Sequence, residues 1–155
     1  IVGISGSLRR HSFNAGLLRA AQAAMPEGAT LEIGTIAGMP LYDADLEASD
    51  GIPAPVAALK DAIAASDGLL MVTPEYNNGI PGVFKNVIDW LSRPASDIAA
   101  VFGGKPVAVI GAEAVAKHYI AALSRLGLVP VQTDAAAMTR AGLCAAWRKI
   151  RETTP

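Results

Sequence analysis

Residues 68–94 read GLLMVTPEYNNGIPGVFKNVIDWLSRP, and the fold is decided inside them. Gly68 to Thr73 is apolar at successive positions, so both faces of that strand need cover, as in the middle of a parallel sheet. Pro74 to Pro81 is a long connection rich in Asn, Gly and Pro. Pro81 suits a helix first turn, where its missing N–H costs nothing. Beyond it Val83, Phe84, Val87, Ile88 and Leu91 share one helical face up to Ser92-Arg93-Pro94. A buried strand that feeds a polar loop and then an amphipathic helix is part of a βαβ unit.

The same pattern recurs on either side. Ile1 to Ser5 is a β-branched run that breaks into a Gly/Ser/Arg loop. A predicted helix over Phe13–Met25 follows, with Phe13, Leu17, Leu18 and Ala21 as its apolar residues. Pro26-Glu27-Gly28 stops that helix, and Thr30–Ile36 reads as a strand nearer an edge. Gly38–Pro55, with Gly, three Pro and several Asp, reads as an irregular connection, and Val56–Ser66 has helical spacing at Val56, Leu59, Lys60 and Ile63. Pro106–Ile110 is a further central strand running into Gly111-Ala112. Val115–Leu126 reads as a helix stopped by Gly127, Leu128–Val131 as a fifth strand, and Gly142–Arg151 as a closing helix. Five strands with intervening helices predict a doubly wound α/β fold, a three-layer sandwich with helices on both faces of a parallel sheet. The flavodoxin-like order 2-1-3-4-5 suits that count better than a six-strand Rossmann arrangement.

The 155 residues fit one domain, residues 1–155, and 52% hydrophobic content gives it a sizeable core and excludes intrinsic disorder. Thirteen Lys and Arg against fourteen Asp and Glu leave a formal charge of −1, with no basic stripe, so no nucleic-acid partner is expected. A lone cysteine, Cys144, forms no internal disulfide and fits a reducing compartment, the cytoplasm by default; it reads as a small core residue. The apolar runs fall short of the ~20 residues that cross a bilayer, and the first residues lack a signal-peptide layout, so a soluble protein without a membrane partner is expected. Because the chain opens at Ile1 rather than Met, a few leading residues are expected to precede it.

In an open parallel sheet the ligand site lies beyond the carboxyl ends of the strands where strand order reverses. Three loops meet there: Gly6 to Asn14, Pro74 to Gly79, and Gly111 with its successors. The first, GSLRRHSFN, has neither the GxxxxGK[ST] lysine of a triphosphate loop nor the GxGxxG spacing of a dinucleotide site. Its donors are the Ser7 and Ser12 hydroxyls, the Asn14 amide, the Arg9 guanidinium and the backbone N–H groups at a helix start, a set that favours one terminal phosphate. Ser12 or Asn14 taken alone reads equally as a helix cap.

The second loop, Pro74-Glu75-Tyr76-Asn77-Asn78-Gly79, is polar beside a buried strand and suits a planar polar partner such as a flavin. Asn77-Asn78-Gly79 also reads as an ordinary turn in which Asn and Gly tolerate positive φ. Glu75, the one acid in these loops, is expected to orient the loop rather than move protons. His11 reads as solvent-exposed, and two histidines, His11 and His118, without a cysteine partner predict no metal. Asp43, Asp45, Glu47 and Asp50 read as a solvated loop, since EF-hand spacing is absent.

GSLRRHSFN paired with PEYNNGIPGVFKNVIDWLSRP resembles the NAD(P)H-dependent FMN reductase family, flavodoxin-like enzymes that include quinone and chromate reductases. The resemblance covers residues 1 to about 112 well and the remainder in outline. It implies that Ser7, Arg9, Ser12 and Asn14 hold the FMN phosphate, with Leu8 also among the cofactor-binding residues. Pro74, Glu75, Tyr76, Asn77 and Asn78 would lie along the ribityl chain and isoalloxazine, with Gly111 and Ala112 as a third wall. It also implies a helix from Pro81 at the interface of a homodimer or homotetramer, NADPH or NADH as transient hydride donor, and a quinone-like small-molecule acceptor, with chromate, azo compounds and free flavin in range. No side chain is expected to be catalytic, because the cofactor supplies the reactivity.

Two stretches depart from the family's pattern. Gly111-Ala112 runs straight to Glu113 without a Ser-Pro-Gly stretch, and Ala135–Arg140 is short, so either these loops are trimmed or segments are missing from the sequence. A one-electron carrier of the flavodoxin type is the alternative function, although such carriers are usually strongly acidic and a charge of −1 does not fit. A flavin-free interaction module on the same fold is a third class.

Overall fold

The structure, a computed structural model, describes residues 1–111, 125, 127 and 129–131. The helix expected over Val115–Leu126 falls outside the described residues except at Arg125. The closing helix Gly142–Arg151, His118, Ala112, Cys144 and the Ala135–Arg140 stretch lie outside them entirely.

In chain order the elements are β1 (Val2–Ser5), α1 (Phe13–Ala23), β2 (Glu32–Gly34), α2 (Ala44–Asp50), α3 (Ala54–Ala64), β3 (Leu69–Val72), α4 (Gly82–Leu91), a 3-10 turn (Ala95–Asp97), α5 (Ile98–Phe102), β4 (Pro106–Ile110) and β5 (Val129–Val131). The strands form one sheet in the order β2-β1-β3-β4-β5, and every pairing is parallel. This is the predicted flavodoxin-like arrangement, with β2 at an edge.

Alternation along the central strands builds two cores. Val2, Ile4, Leu69, Met71, Val107 and Val109 pack on one side with Leu59 and Ile63 of α3, Phe84, Val87, Ile88 and Leu91 of α4, and Phe102 of α5. Leu70, Val72 and Ala108 point the other way and meet Leu18 and Ala21 of α1. All four residues of β3 are buried, which is why its sequence shows no alternation.

Several expectations change. Gly38–Pro55 is not wholly irregular: Asp43 caps α2, its carboxylate accepting from the Asp45 N–H at 2.9 Å, with Asp45 and Glu47 in the first turn. The acidic cluster therefore lies on the cap and along α2 rather than in a loop, with Asp43, Asp45 and Asp50 exposed, and Glu47 accepts a hydrogen bond from the Tyr42 hydroxyl at 2.9 Å. Residues 95–102, unassigned from the sequence, hold the 3-10 turn and α5. Phe13 does not join the buried face of α1; it is 81% exposed at the helix's first residue, while Leu18 and Ala21 are buried.

α4 is braced from outside the sheet. Its Asn86 amide donates to the Pro40 carbonyl at 2.8 Å and accepts from the Tyr42 N–H at 2.7 Å, and the Trp90 indole N–H donates to the same Pro40 carbonyl at 2.9 Å. Trp90, left out of the predicted apolar face, is fully buried, with Tyr42 edge-on at 5.1 Å. Pro81, expected inside the first turn, is instead the residue that precedes α4 and caps it.

Candidate functional site: the loops after β1, β3 and β4

Parallel pairing brings the carboxyl ends of β1, β3 and β4 to one rim, and the hydrogen-bond ladder runs past the strands. Gly6 N–H donates to the Val72 carbonyl at 2.8 Å, and Thr73 N–H to the Ile110 carbonyl at 2.9 Å. Gly6, Thr73 and Gly111 are thus the first residues of three neighbouring loops. Their backbones approach too closely for larger residues. A Cβ on Gly6 would sit 2.6 Å from Thr73 Oγ1, and one on Gly111 would sit 2.9 Å from the Thr73 carbonyl oxygen. Thr73 is 1% exposed, and its hydroxyl donates to the Pro74 carbonyl at 3.0 Å. From the sequence Thr73 reads only as a strand end; the one signal of a further role is a hydroxyl closing an otherwise apolar run.

The β1–α1 loop is tied to itself. Arg9 N–H donates to Ser7 Oγ at 3.3 Å, Ser12 N–H to the Arg9 carbonyl at 3.0 Å, and the Arg9 guanidinium to the His11 carbonyl at 2.8 Å. Ser12 is the N-cap of α1: its backbone is extended and its hydroxyl oxygen accepts from Ala15 N–H at 3.4 Å. The capping reading of Ser12 is therefore correct as far as it goes, but a capping hydroxyl still has its own hydrogen to donate outward. Asn14 is half-buried, and its amide has no hydrogen-bond partner among the described residues. Leu8, Arg9 and His11 are exposed.

The β3–α4 loop contains a tight turn. Tyr76 and Gly79 exchange both backbone hydrogen bonds, at 2.9 and 3.0 Å. Asn77 and Asn78 between them have φ of 52° and 56°, a pair of left-handed residues that defines a type I′ turn. The expected positive φ falls on the two asparagines and not on Gly79. Pro74 and Glu75 are half-buried, while Tyr76, Asn77 and Asn78 face solvent, as does Gly111 on the neighbouring loop.

The candidate residues Ser7, Leu8, Arg9, Ser12, Asn14, Pro74, Glu75, Tyr76, Asn77, Asn78 and Gly111 therefore all lie at one rim of the sheet, Asn14 in the first turn of α1 and the others on the segments that leave β1, β3 and β4. The donor set there fits a phosphate. Neither the loop from Ser7 to Ser12 nor the first turn of α1 contains a carboxylate, so the positive end of the helix and the Arg9 charge have no anionic partner in that segment. Among the described residues, no group of His, Cys, Asp and Glu is arranged to hold a metal ion, and no helix is long and apolar enough to cross a membrane.

A five-stranded parallel sheet in this order, with its loops converging at the β1/β3 switch point, defines a flavodoxin-like α/β protein. The chain belongs to the NADPH-dependent FMN reductase family, which it matches over residues 1–142. It is 46% identical over 114 residues to an NAD(P)H-dependent FMN reductase of Pseudomonas aeruginosa, a stretch that covers 74% of this chain and 60% of that protein. It is 45% identical over 113 residues to a quinone reductase of Escherichia coli, covering 70% and 57%. The aligned stretch thus spans about three-fifths of the length of these curated relatives. Among solved structures it is similar to FerB, a flavoenzyme NAD(P)H:(acceptor) oxidoreductase from Paracoccus denitrificans, with a TM-score of 0.81, 30% identity, and coverage of 98% of this chain and 97% of that one.

Proposed function

We propose that this chain is an FMN-dependent oxidoreductase that passes a hydride from NADPH or NADH through bound flavin to a small quinone-like acceptor. The observation that carries the reading is the carboxylate-free, donor-rich loop at the start of α1, which leaves the same rim of the sheet as the β3–α4 loop with its type I′ turn. FMN, when bound, supplies the hydride chemistry; the chain's residues bind and orient it. Arg9, the Ser7 and Ser12 hydroxyls, the Asn14 amide and the loop's backbone N–H groups hold the phosphate, with Leu8 beside them. Pro74, Glu75, Tyr76, Asn77, Asn78 and Gly111 line the ribityl chain and ring, and the I′ turn presents backbone amides to the ring's polar edge. No side chain is assigned a proton-transfer role.

In this reading residues 1–155 form a single flavodoxin-like domain that acts in the cytoplasm as a homodimer or homotetramer. The near-neutral charge and the lone cysteine agree with a reducing, soluble setting. The visible spectrum of the freshly purified protein, followed by NADPH and NADH oxidation with and without a quinone, tests the proposal. Flavin absorption with quinone-dependent oxidation supports it. Bound FMN without pyridine-nucleotide oxidation indicates the one-electron carrier instead, and a colourless protein that ignores added FMN indicates a flavin-free module.

A further inference from the structure

Phe13 is a large aromatic residue at the first position of α1, yet it is 81% exposed, the most exposed of the large apolar residues described. Over its ring stands a cation: the Arg9 guanidinium carbon lies 5.2 Å from the ring centroid, within cation–π range. The same guanidinium donates to the His11 carbonyl at 2.8 Å. Ser12, buried between them in the chain, caps α1 and accepts no freedom of its own, since its N–H is tied to the Arg9 carbonyl at 3.0 Å. The helix start therefore fixes where Phe13 stands, and Phe13 with the His11 carbonyl fixes where the Arg9 side chain stands.

A guanidinium has five N–H donors. The His11 carbonyl takes one and the aromatic ring takes none, so four remain for an anion. An arginine free in solvent loses rotamer entropy each time it closes on a ligand, whereas one already held loses less. We propose that Phe13 is a positioning residue that holds the Arg9 guanidinium over the β1–α1 loop and so raises affinity for the phosphate end of a flavin ligand; the proposal rests on reading this loop as the FMN phosphate site. A hydrophobic side chain exposed at the rim is explained by the cation it steers rather than by the core it fails to join.

The test compares FMN with riboflavin, which has the same ring and ribityl chain but no phosphate, by fluorescence titration of the full-chain apoprotein. Arg9→Ala is expected to lower FMN affinity about tenfold or more and leave riboflavin unchanged. Phe13→Leu is expected to lower FMN affinity about two- to fivefold, again sparing riboflavin. It should have no further effect in the Arg9→Ala background, and Phe13→Tyr should restore the parent value. Equal losses for both ligands, an unchanged FMN-to-riboflavin ratio, or an undiminished Phe13→Leu effect without Arg9 would each overturn the positioning role. If Arg9→Ala itself leaves the ratio untouched, the phosphate assignment fails first and the role of Phe13 falls with it.

Discussion

Lys60, buried on α3, reaches across to Asp97 of the 3-10 turn, its Nζ 2.7 Å from the carboxylate, and also donates to the Arg93 carbonyl just after α4. One ammonium thus ties α3, the end of α4 and the start of the segment leading to α5. The Lys60 side chain is 9% exposed and that of Asp97 42%, so the pair is half in water, and the Arg93 carbonyl is the partner that suffers when the cation goes. Lys60→Met keeps the apolar stem and removes both bonds. Chemical denaturation should show a loss of about 1–3 kcal/mol, the cost of leaving a polar group without its partner. Asp97→Asn, which spares the bond to Arg93, should cost less than Lys60→Met.

The same contact gives the fold an acid-sensitive element. The hydrogen bond from Lys60, then that from Ser96, holds the Asp97 carboxyl below its ordinary value, against a smaller opposing effect of burial. A depressed folded-state pKa means that the unfolded chain takes up the proton first. The contribution is therefore complete above the unfolded carboxyl pKa of about 3.9 and drains away as pH falls through the lower folded value. Urea midpoints of the parent should fall across that window. Asp97→Asn should flatten this part of the profile, and an unchanged slope in the variant would remove Asp97 from the account.

Most of the sheet was legible because it rests on strong, local signals. β3 and β4 are apolar at successive positions, and the spacing of Val56, Leu59, Lys60 and Ile63 matches residues that are all buried on α3. α2 buries no residue, so it has no apolar period to read; its start is set by the Asp43 cap. α5 spans five residues, too short for a 3.6-residue period to repeat. Phe13 fits the helical period but stands at the rim, where a first-turn side chain passes beyond the sheet's edge. At the candidate site, the meeting of three loops followed from strand order alone. The left-handed turn was legible in Asn77-Asn78-Gly79, though not that both asparagines and not Gly79 carry the positive φ. The Arg9–Phe13 contact and the close approach at Thr73 did not show, since each depends on backbone placement that no residue pattern encodes.

Asn77 and Asn78 separate folding from binding. Both hold positive φ, a conformation that costs a β-branched residue roughly 1–2 kcal/mol and glycine nothing. Asn78→Val should therefore destabilise the protein by about that amount, while Asn78→Gly should leave its thermal midpoint near the parent's. If the Asn78 side chain touches flavin, Asn78→Gly will weaken FMN and riboflavin to the same extent, because the loss lies at the ring end. Weakening of FMN alone would move Asn78 to the phosphate end, and no weakening would reduce it to a turn former.

Gly6 and Gly111 flank the same threonine but should respond differently to repair. A methyl group on Gly6 meets the Thr73 side chain, 2.6 Å from Oγ1 and 3.0 Å from Cβ, whereas one on Gly111 meets first the Thr73 carbonyl oxygen at 2.9 Å and then the Thr73 Cγ2 methyl at 3.3 Å. The Thr73 Oγ1 can be deleted; its backbone carbonyl cannot. Each Gly→Ala change alone should cost about 1–3 kcal/mol, the range for overpacking a filled site. Adding Thr73→Ala, which removes both Oγ1 and Cγ2, should recover more of the loss in Gly6→Ala than in Gly111→Ala, where the contact with the carbonyl stays, so a double-mutant cycle should give a coupling of at least about 0.5 kcal/mol for the first pair and a smaller one for the second. Because both glycines begin loops of the candidate flavin site, FMN titrations on the same proteins should follow the pattern. Affinity would return with stability in the Gly6→Ala, Thr73→Ala protein and stay low in its Gly111 counterpart. Equal recovery in the two pairs would mean that the rim relaxes as a unit, and that the crowding at Thr73 does not set where these loops begin.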